Sequence, residues 1–156
     1  MDKELEKAKE SAFWLLKIRG RSKNELRTRL ERKNFSAAVI DAVLDFLVKL
    51  GYVNDSKFAQ DWINSRMNSA PRSRRFLRYE LSQKGVAAEL IESALELIDE
   101  EAEYNTAKQL AEKRFSRLKG LPRAVIKRRL NGYLVRRGYS RALCLRIIKE
   151  IMEDEG

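Results

Sequence analysis

The chain of 156 residues contains no histidine, one cysteine and two prolines. Without histidine it cannot build the Ser-His or Cys-His pairs of many hydrolases, nor the usual histidine-containing zinc and iron sites. A single cysteine excludes a disulfide within the chain and suits a reducing compartment. Walker and GxGxxG phosphate-binding sequences are also missing. These absences favour a protein that is not an enzyme and that carries no metal or cofactor.

Long apolar runs are missing as well. The richest apolar stretch, Ala37 to Val48, is broken by Asp41 and Asp45, whereas a membrane-spanning helix needs roughly 20 consecutive apolar residues. The first residues, Met1-Asp2-Lys3-Glu4, differ from the cationic and then apolar start of a secretion signal. We therefore expect a cytoplasmic protein with no membrane partner.

The most regular feature of the chain is a repeat of its apolar residues. Leu26 recurs 51 residues later as Leu77 and a further 53 residues later as Leu130. Seven more apolar triplets keep the same register, among them Phe35, Val86 and Tyr139. A period of this size is typical of repeat proteins, in which small units cover one another's apolar faces. The chain is therefore predicted to form three tandem units over residues 1–50, 51–98 and 99–156.

Each unit is predicted to contain three helices, which gives an all-α fold. Apolar residues recur at helical spacing, and no window alternates like a strand. Ser22 and Glu25 have the spacing of a capping box, and Gly51 fits the positive φ of a helix end. Pro71 is placed in the first turn of a helix, and another helix is predicted over residues 87–99. Because the units can cover one another, we expect a monomer.

The excess positive charge is concentrated in the middle helix of each unit. Residues 22–34, 71–84 and 122–137 carry net charges of +3, +4 and +6, against +10 for the whole chain. A chain with a pI of about 9.9 is expected to bind an anionic partner, of which nucleic acid, an acidic protein surface and an anionic membrane are the three classes. The remaining residues are net negative, so the excess positive charge lies on the three middle helices and is not spread along the chain.

Two basic positions recur in all three units. One set is Lys23, Arg74 and Lys127, and the other is Lys33, Lys84 and Arg137. A run of charge is usually a solvated face, and cations at helix C-termini are favourable locally. The regular placement nevertheless favours a continuous basic stripe as the binding surface. The predicted basic stripe consists of Lys23, Arg27, Lys33, Arg72, Arg74, Arg75, Arg78, Lys84, Lys127, Arg128, Arg129, Arg136 and Arg137.

Four other side chains receive individual predictions. Cys144 occupies a position that is isoleucine in the other two units, so we expect a buried structural thiol. Trp14 and Trp62 are expected in the core. Tyr79 lies among arginines, where it could stack on a base or on a partner side chain.

The chain also carries a series of short sequence pieces in a fixed order: Arg21-Ser22, Glu25-Leu26, Arg29-Leu30, Gly51-Tyr52-Val53-Asn54-Asp55, Phe58-Ala59, Ser65-Arg66, Pro71-Arg72-Ser73, Glu80-Leu81, Lys84-Gly85-Val86 and Arg137-Gly138-Tyr139. In these pieces the chain resembles the RecX family of bacterial RecA modulators. The resemblance extends over roughly residues 10 to 150, and Asn34 and Asn54 depart from it where glycine and aspartate are common.

The resemblance implies three tandem three-helix repeats that form an elongated, curved array. It implies a regulatory protein of DNA repair, recombination and the SOS response that binds the RecA–DNA filament. The expected effects are inhibition of RecA ATP hydrolysis, strand exchange and co-protease activity, with only weak binding to free single- and double-stranded DNA. Two alternatives stay open from the residues alone. One is a DNA-binding protein that acts alone through helix-turn-helix-like units, and the other is a histidine-free enzyme.

Overall fold

The computed structural model describes residues 2–154, which form nine α-helices and no strand. In chain order these are α1 Asp2–Ile18, α2 Lys23–Arg32, α3 Ala37–Lys49, α4 Asp55–Ser69, α5 Arg74–Gln83, α6 Ala88–Leu95, α7 Glu100–Leu118, α8 Arg123–Arg136 and α9 Arg141–Asp154. The predicted all-α fold is confirmed. Residues 1, 155 and 156, which belong to the predicted first and third repeats, lie outside the described range.

The helices are grouped into two compact units. Unit 1 contains the chain up to Ile63 together with Glu80–Ala94, and unit 2 contains Asn64–Tyr79 together with the chain from Leu95 onward. Helices α4 and α5 therefore supply residues to both units. Each unit has an apolar core of its own.

The core of unit 1 is built on helices α1, α2 and α3. Leu26 and Leu30 of α2 are fully buried, and their spacing of four residues places them on one helix face. Burying one such aliphatic side chain contributes about 1.5–3 kcal/mol. Helix α3 adds the longest buried stripe of this unit: Val39, Ile40, Val43, Leu44 and Leu47.

The core of unit 2 is built on helices α7, α8 and α9. Leu130 and Leu134 of α8 occupy the register of Leu26 and Leu30 and are fully buried as well. Cys144 of α9 is also fully buried, which confirms the prediction of a structural thiol. Burial raises the pKa of this thiol, so the group stays protonated and unreactive at neutral pH.

Polar caps fix where several helices begin. The Ser22 hydroxyl accepts a hydrogen bond from the Glu25 amide at 3.1 Å, and the Ser22 amide donates one to the Glu25 carboxylate at 3.2 Å. The predicted capping box of α2 is therefore confirmed. The Ser36 hydroxyl caps α3 by accepting a hydrogen bond from the Val39 amide at 3.3 Å, and the Asp99 carboxylate caps α7 by accepting one from the Ala102 amide at 2.8 Å. Each such cap contributes about 1 kcal/mol because it satisfies an otherwise unpaired amide.

The start of α2 is joined to later parts of unit 1 by two hydrogen bonds. The Ser22 hydroxyl donates to the Lys84 carbonyl at 2.6 Å, just after α5 ends. The Lys23 amide donates to the Asp55 carboxylate at 2.8 Å, at the start of α4. Gly85, the residue after Lys84, has a φ of +78° and faces Asn24.

Unit 2 contains equivalent hydrogen bonds at the start of α5, made by residues one sequence repeat later in the chain. The Ser73 amide donates to the Arg137 carbonyl at 3.0 Å, and the Arg74 amide donates to the Glu103 carboxylate at 2.7 Å. Gly138, with a φ of +90°, faces Ser73 and Phe76. The sequence repeat is thus matched by a repeated set of contacts that fixes the starts of α2 and α5.

Three predictions from the sequence are wrong. Pro71 lies three residues before α5, because the Ser73 hydroxyl accepts the Phe76 amide at 3.0 Å and the helix begins only at Arg74. Helix α6 ends at Leu95 rather than near residue 99. Trp14 is 64% exposed, because the buried side of α1 is formed by other residues, namely Ala8, Ala12 and Leu15.

Candidate functional site

The predicted basic stripe lies on α2, α5 and α8, on the residues that directly follow them, and on Arg72, two residues before α5. None of its members is buried. Six are exposed: Lys33, Arg75, Lys127, Arg128, Arg129 and Arg136. Seven are half-buried: Lys23, Arg27, Arg72, Arg74, Arg78, Lys84 and Arg137. All thirteen cations therefore keep some contact with solvent.

Two cations of the basic stripe in unit 1 form ion pairs. Arg27 lies 2.7 Å from the Asp41 carboxylate on α3. Lys84 lies 3.3 Å from Glu25 and also 4.8 Å from the centre of the Trp62 ring. These pairs hold the two side chains against their own unit, so part of their charge is already compensated.

Trp62, predicted to be in the core, is half-buried. Its ring stacks on Phe58 with centroids 6.0 Å apart, and its indole N–H donates to Glu80 at 3.3 Å. Tyr79 is 63% exposed, so its predicted role as a stacking surface is sterically open.

In unit 2, two arginines lie against the ring of Tyr133. The Arg137 guanidinium lies 3.8 Å from the centre of the Tyr133 ring, and Arg114 of α7 lies 5.3 Å from the same centre. Tyr139 follows closely in the chain and is 2% exposed. A guanidinium above an aromatic ring is attracted to the negative face of the ring, by about 0.5–2 kcal/mol depending on burial.

The exposed side of α8 borders a groove with α9. The groove has a volume of about 650 Å³. Its lining combines the apolar residues Leu145, Ile148 and Met152 with the cations Arg123, Lys127, Arg128 and Lys149, and it also includes Asn131 and Glu153. The four cations outnumber the one carboxylate, so the groove is net positive.

Several of these residues were absent from the predicted basic stripe. Arg114 lies on α7, the first helix of the third repeat, whereas the predicted basic stripe follows the second helix of each repeat. Arg123 lies within the span 122–137, but its counterpart in the second repeat is Ala70, so the position is not basic in all three repeats. Tyr139 was recognised only as a member of an apolar triplet. Arg114 and Arg137 meet at the Tyr133 ring only in the folded chain, so no local sequence pattern could predict this contact.

The described residues offer little for other chemistries. In residues 2–154 there is no group of three or more His, Cys, Asp or Glu side chains that could hold a metal ion. Within the same range, no helix is long and apolar enough to cross a membrane.

Comparisons with known proteins cover nearly the whole chain. Three family models match in order: the first three-helix domain of RecX over residues 8–47, the second over 54–95 and the third over 100–148. Regulatory protein RecX from Amycolatopsis mediterranei (strain U-32) is 39% identical over 150 residues, which is 96% of this chain and 86% of that protein. The protein of the same name from Mycolicibacterium smegmatis (strain ATCC 700084 / mc(2)155) is 37% identical over 154 residues, covering 96% and 82%.

Solved structures show the same fold. The crystal structure of RecX from Lactobacillus salivarius superimposes with a TM-score of 0.82 at 22% identity, covering 96% of this chain and 97% of that one. A second crystal structure, of regulatory protein RecX, gives a TM-score of 0.81 at 22% identity, covering 94% and 73%.

The helical fold and the repeated hydrogen bonds at the starts of α2 and α5 define a helical-repeat protein. Its relatives are named regulatory proteins. The chain belongs to the RecX family, since the three family models together match most of its length. The resemblance stated from the sequence is thereby confirmed.

Proposed function

We propose that this chain binds the RecA–DNA filament through the basic stripe and inhibits RecA ATP hydrolysis, strand exchange and co-protease activity. Family membership supports a regulatory role, and the charge distribution supports an anionic target. The observation that carries the proposal is the concentration of +3, +4 and +6 on residues 22–34, 71–84 and 122–137, in a chain of net charge +10. A filament presents repeated sites, which suits a ligand with one basic helix in each repeat.

In this proposal the chain acts by occupying its target and catalyses no reaction. It works as a cytoplasmic monomer built from three sequence repeats, which span residues 1–50, 51–98 and 99–156. Binding to free single- or double-stranded DNA is weak, because phosphate contacts alone give sequence-independent affinity that falls steeply with salt. The alternative is a DNA-binding protein that acts alone through helix-turn-helix-like units.

The test replaces one recurring cation in each repeat. Lys23→Ala, Arg74→Ala and Lys127→Ala are made singly and together, and RecA-dependent ATP hydrolysis on single-stranded DNA is measured. Each single change should weaken inhibition about fivefold, the equivalent of about 1 kcal/mol for a partly exposed ionic contact. The triple variant should weaken it roughly 100-fold if the three sites act together.

A control with the same charge change separates placement from total charge. Lys7, Lys57 and Lys113 are exposed and lie outside the second helices, so their replacement by alanine should leave inhibition within about twofold. Lys108 is unsuitable as a control because it lies 3.2 Å from Glu150. Equal loss in both triple variants would refute the basic stripe. Strong binding to naked DNA with no effect on RecA would favour the alternative instead.

A further inference from the structure

The groove between α8 and α9 of unit 2 carries positive charge that the protein leaves unpaired. Its four cations are all exposed, and within residues 2–154 none of them forms an ion pair. Arg146, on the same helix as Lys149, shows the contrast, because it pairs with Glu150 at 3.1 Å. The charge of the groove is therefore available to an anion from outside the chain.

The position of these cations in α8 gives them no local advantage. Arg123 is the first residue of α8, where the helix macrodipole disfavours a positive side chain. Helix α8 also contains no carboxylate that could pair with Lys127 or Arg128 one turn away. The Arg123 guanidinium donates to the Met152 carbonyl of α9 at 3.4 Å. A structural role therefore accounts for Arg123 in part, but not for Lys127 and Arg128.

An exposed leucine lies in the same groove as the cations. Leu145 is 55% exposed, so much of its aliphatic side chain is in contact with water. A ligand that covers this side chain gains affinity, because removing apolar surface from water is favourable. The groove volume of about 650 Å³ lies within the roughly 300–1,000 Å³ of pockets that bind ligands. It therefore has room for a few side chains of a polypeptide, but not for a folded domain.

We infer that this groove, here called the α8–α9 groove, binds an acidic polypeptide segment that carries an aliphatic side chain among its carboxylates. The carboxylates meet the four cations, and the aliphatic side chain covers Leu145. The inference rests on the proposed function, because Lys127 and Arg128 belong to the basic stripe. It gives that end of the stripe a protein partner, and it adds Arg123, Lys149 and Leu145, which the stripe does not include.

The lining of the α8–α9 groove favours a polypeptide over other anions. Among the described residues no aromatic side chain lines it, whereas proteins that bind single-stranded nucleic acid stack the bases on aromatic rings. The outer surface of a duplex presents phosphates and sugars, which offer Leu145 no apolar partner. A fatty acid has an apolar chain but a single charge, and the groove has four cations on two helices. An acidic segment with an aliphatic side chain satisfies both the charge and the apolar surface.

The first test measures the apolar contact with a matched pair of probes. One is a dye-labelled peptide of glutamates with a pair of central leucines, and the other has serines in place of the leucines. In fluorescence anisotropy the leucine peptide should bind the wild type about fivefold to tenfold more tightly, because its leucines leave water. Leu145→Ala should remove most of this preference. Leu97→Ala, at a leucine of the same unit that is 85% exposed, is the control and should retain it.

The second test measures the contribution of charge. Lys149→Gln removes a groove cation that lies outside the basic stripe, and Lys113→Gln makes the same change at an exposed lysine of α7. Lys149→Gln should weaken binding of the leucine peptide about threefold to fivefold, as expected for a partly exposed ionic contact. Lys113→Gln should leave it within about twofold. Both lysines are exposed, so neither change should disturb the fold.

The α8–α9 groove fails as a peptide site if the wild type binds the two peptides equally or binds neither. It also fails if Leu97→Ala matches the loss of Leu145→Ala, or if Lys113→Gln matches the loss of Lys149→Gln. An oligonucleotide that loses as much affinity as the leucine peptide in both groove variants would assign the groove to nucleic acid and overturn the inference.

Because Lys127 and Arg128 belong to both surfaces, the leucine peptide should compete with DNA. When the peptide saturates the protein, the salt slope of duplex binding should become flatter by about 2, since each cation withdrawn from a phosphate contributes about 0.9. The serine peptide at the same concentration should flatten the slope much less. An unchanged slope would show that the bound peptide leaves these two cations uncovered, which refutes its placement in the groove.

The peptide measurements use this chain without RecA, so they are independent of the filament assay. If the wild type fails to slow RecA ATP hydrolysis while peptide binding depends on Leu145 and Lys149, the proposed function fails and the peptide site stands. If inhibition of RecA is strong while the leucine peptide does not bind, the peptide site is refuted and the proposed function stands.

Discussion

Gly138 shows how one residue can be fixed both by its backbone angle and by its neighbours. Its φ is +90°, and a Cβ atom there would lie 2.5 Å from the Ser73 hydroxyl oxygen and 2.7 Å from the Phe76 Cβ. Gly51 has a similar φ of +81° but no atom within 4 Å of the corresponding position. The two glycines therefore separate the cost of the backbone angle from the cost of the close contact.

Gly138→Ala should destabilise the protein more than Gly51→Ala. A positive φ costs alanine about 1–2 kcal/mol, and this is the whole cost expected at Gly51. Crowding at Gly138 adds about 1–3 kcal/mol, giving a total loss of about 2–5 kcal/mol. The free energy of unfolding in urea measures both. Equal losses at the two positions would show that the joint between α5 and α8 adjusts without strain.

At this scale the sequence predicted backbone angles better than contacts. Gly51 was predicted from its place after an apolar stripe, because a positive φ at a helix end is a local property. The contact of Gly138 with Ser73 joins residues 65 positions apart, and no local pattern reports it. Tyr139 was predicted only as an apolar position, since the neighbours of its hydroxyl come from distant parts of the chain.

At the scale of helices, Glu25 links the start of α2 to the residues around it. Its carboxylate lies 2.7 Å from Arg19 and 3.3 Å from Lys84, and it also closes the capping box with Ser22. Burial alone would raise the pKa of Glu25. Hydrogen bonds from Arg19 and the Ser22 amide, together with the charges of Arg19 and Lys84, lower it overall.

Glu25→Gln should therefore destabilise the fold in a pH-dependent way. Near neutral pH the loss should be about 1–2 kcal/mol, from the weakened cap and the lost ionic contacts. Because the folded-state pKa lies below that of the unfolded chain, this stability is present above the unfolded value of about 4.3 and is lost as the pH falls through the folded one. Urea unfolding at a series of pH values measures it.

Glu31→Gln is the control, since Glu31 is an exposed residue of the same helix. It should leave stability unchanged at every pH. A constant difference between Glu25→Gln and wild type across the acidic range would mean that the charge of Glu25 contributes nothing.

The helices themselves were largely predictable from the sequence. Apolar residues at helical spacing predict an all-α chain, and the capping box predicted at Ser22 and Glu25 marks the true start of α2. The prediction for Pro71 was wrong because proline and serine both favour helix starts, and the hydroxyl of Ser73 provides the cap. The sequence had no means of weighing these two signals.

At the scale of the whole molecule, charge is the property that most limits the choice of partner. The chain carries +10, and the exposed members of the basic stripe include four on α8 alone: Lys127, Arg128, Arg129 and Arg136. Ion pairs within the chain take part of the charge of Arg27 and Lys84. The number of cations available to phosphates is therefore smaller than the thirteen residues of the basic stripe.

If about five or six phosphates of double-stranded DNA are neutralised, the logarithm of the binding constant should fall with the logarithm of salt concentration with a slope near −5. The slope counts contacts, so it should respond to particular cations and not to net charge as such. Replacing Lys23, Arg74 and Lys127 by alanine should flatten it by about 2–3, since each lost phosphate contact contributes about 0.9. The same number of replacements at Lys7, Lys57 and Lys113 should leave the slope unchanged, although the net charge falls equally. Anisotropy titrations with a labelled duplex measure all three slopes. A slope near zero for the wild type, or equal flattening in the two triple variants, would mean that the second helices are not the surface that meets nucleic acid.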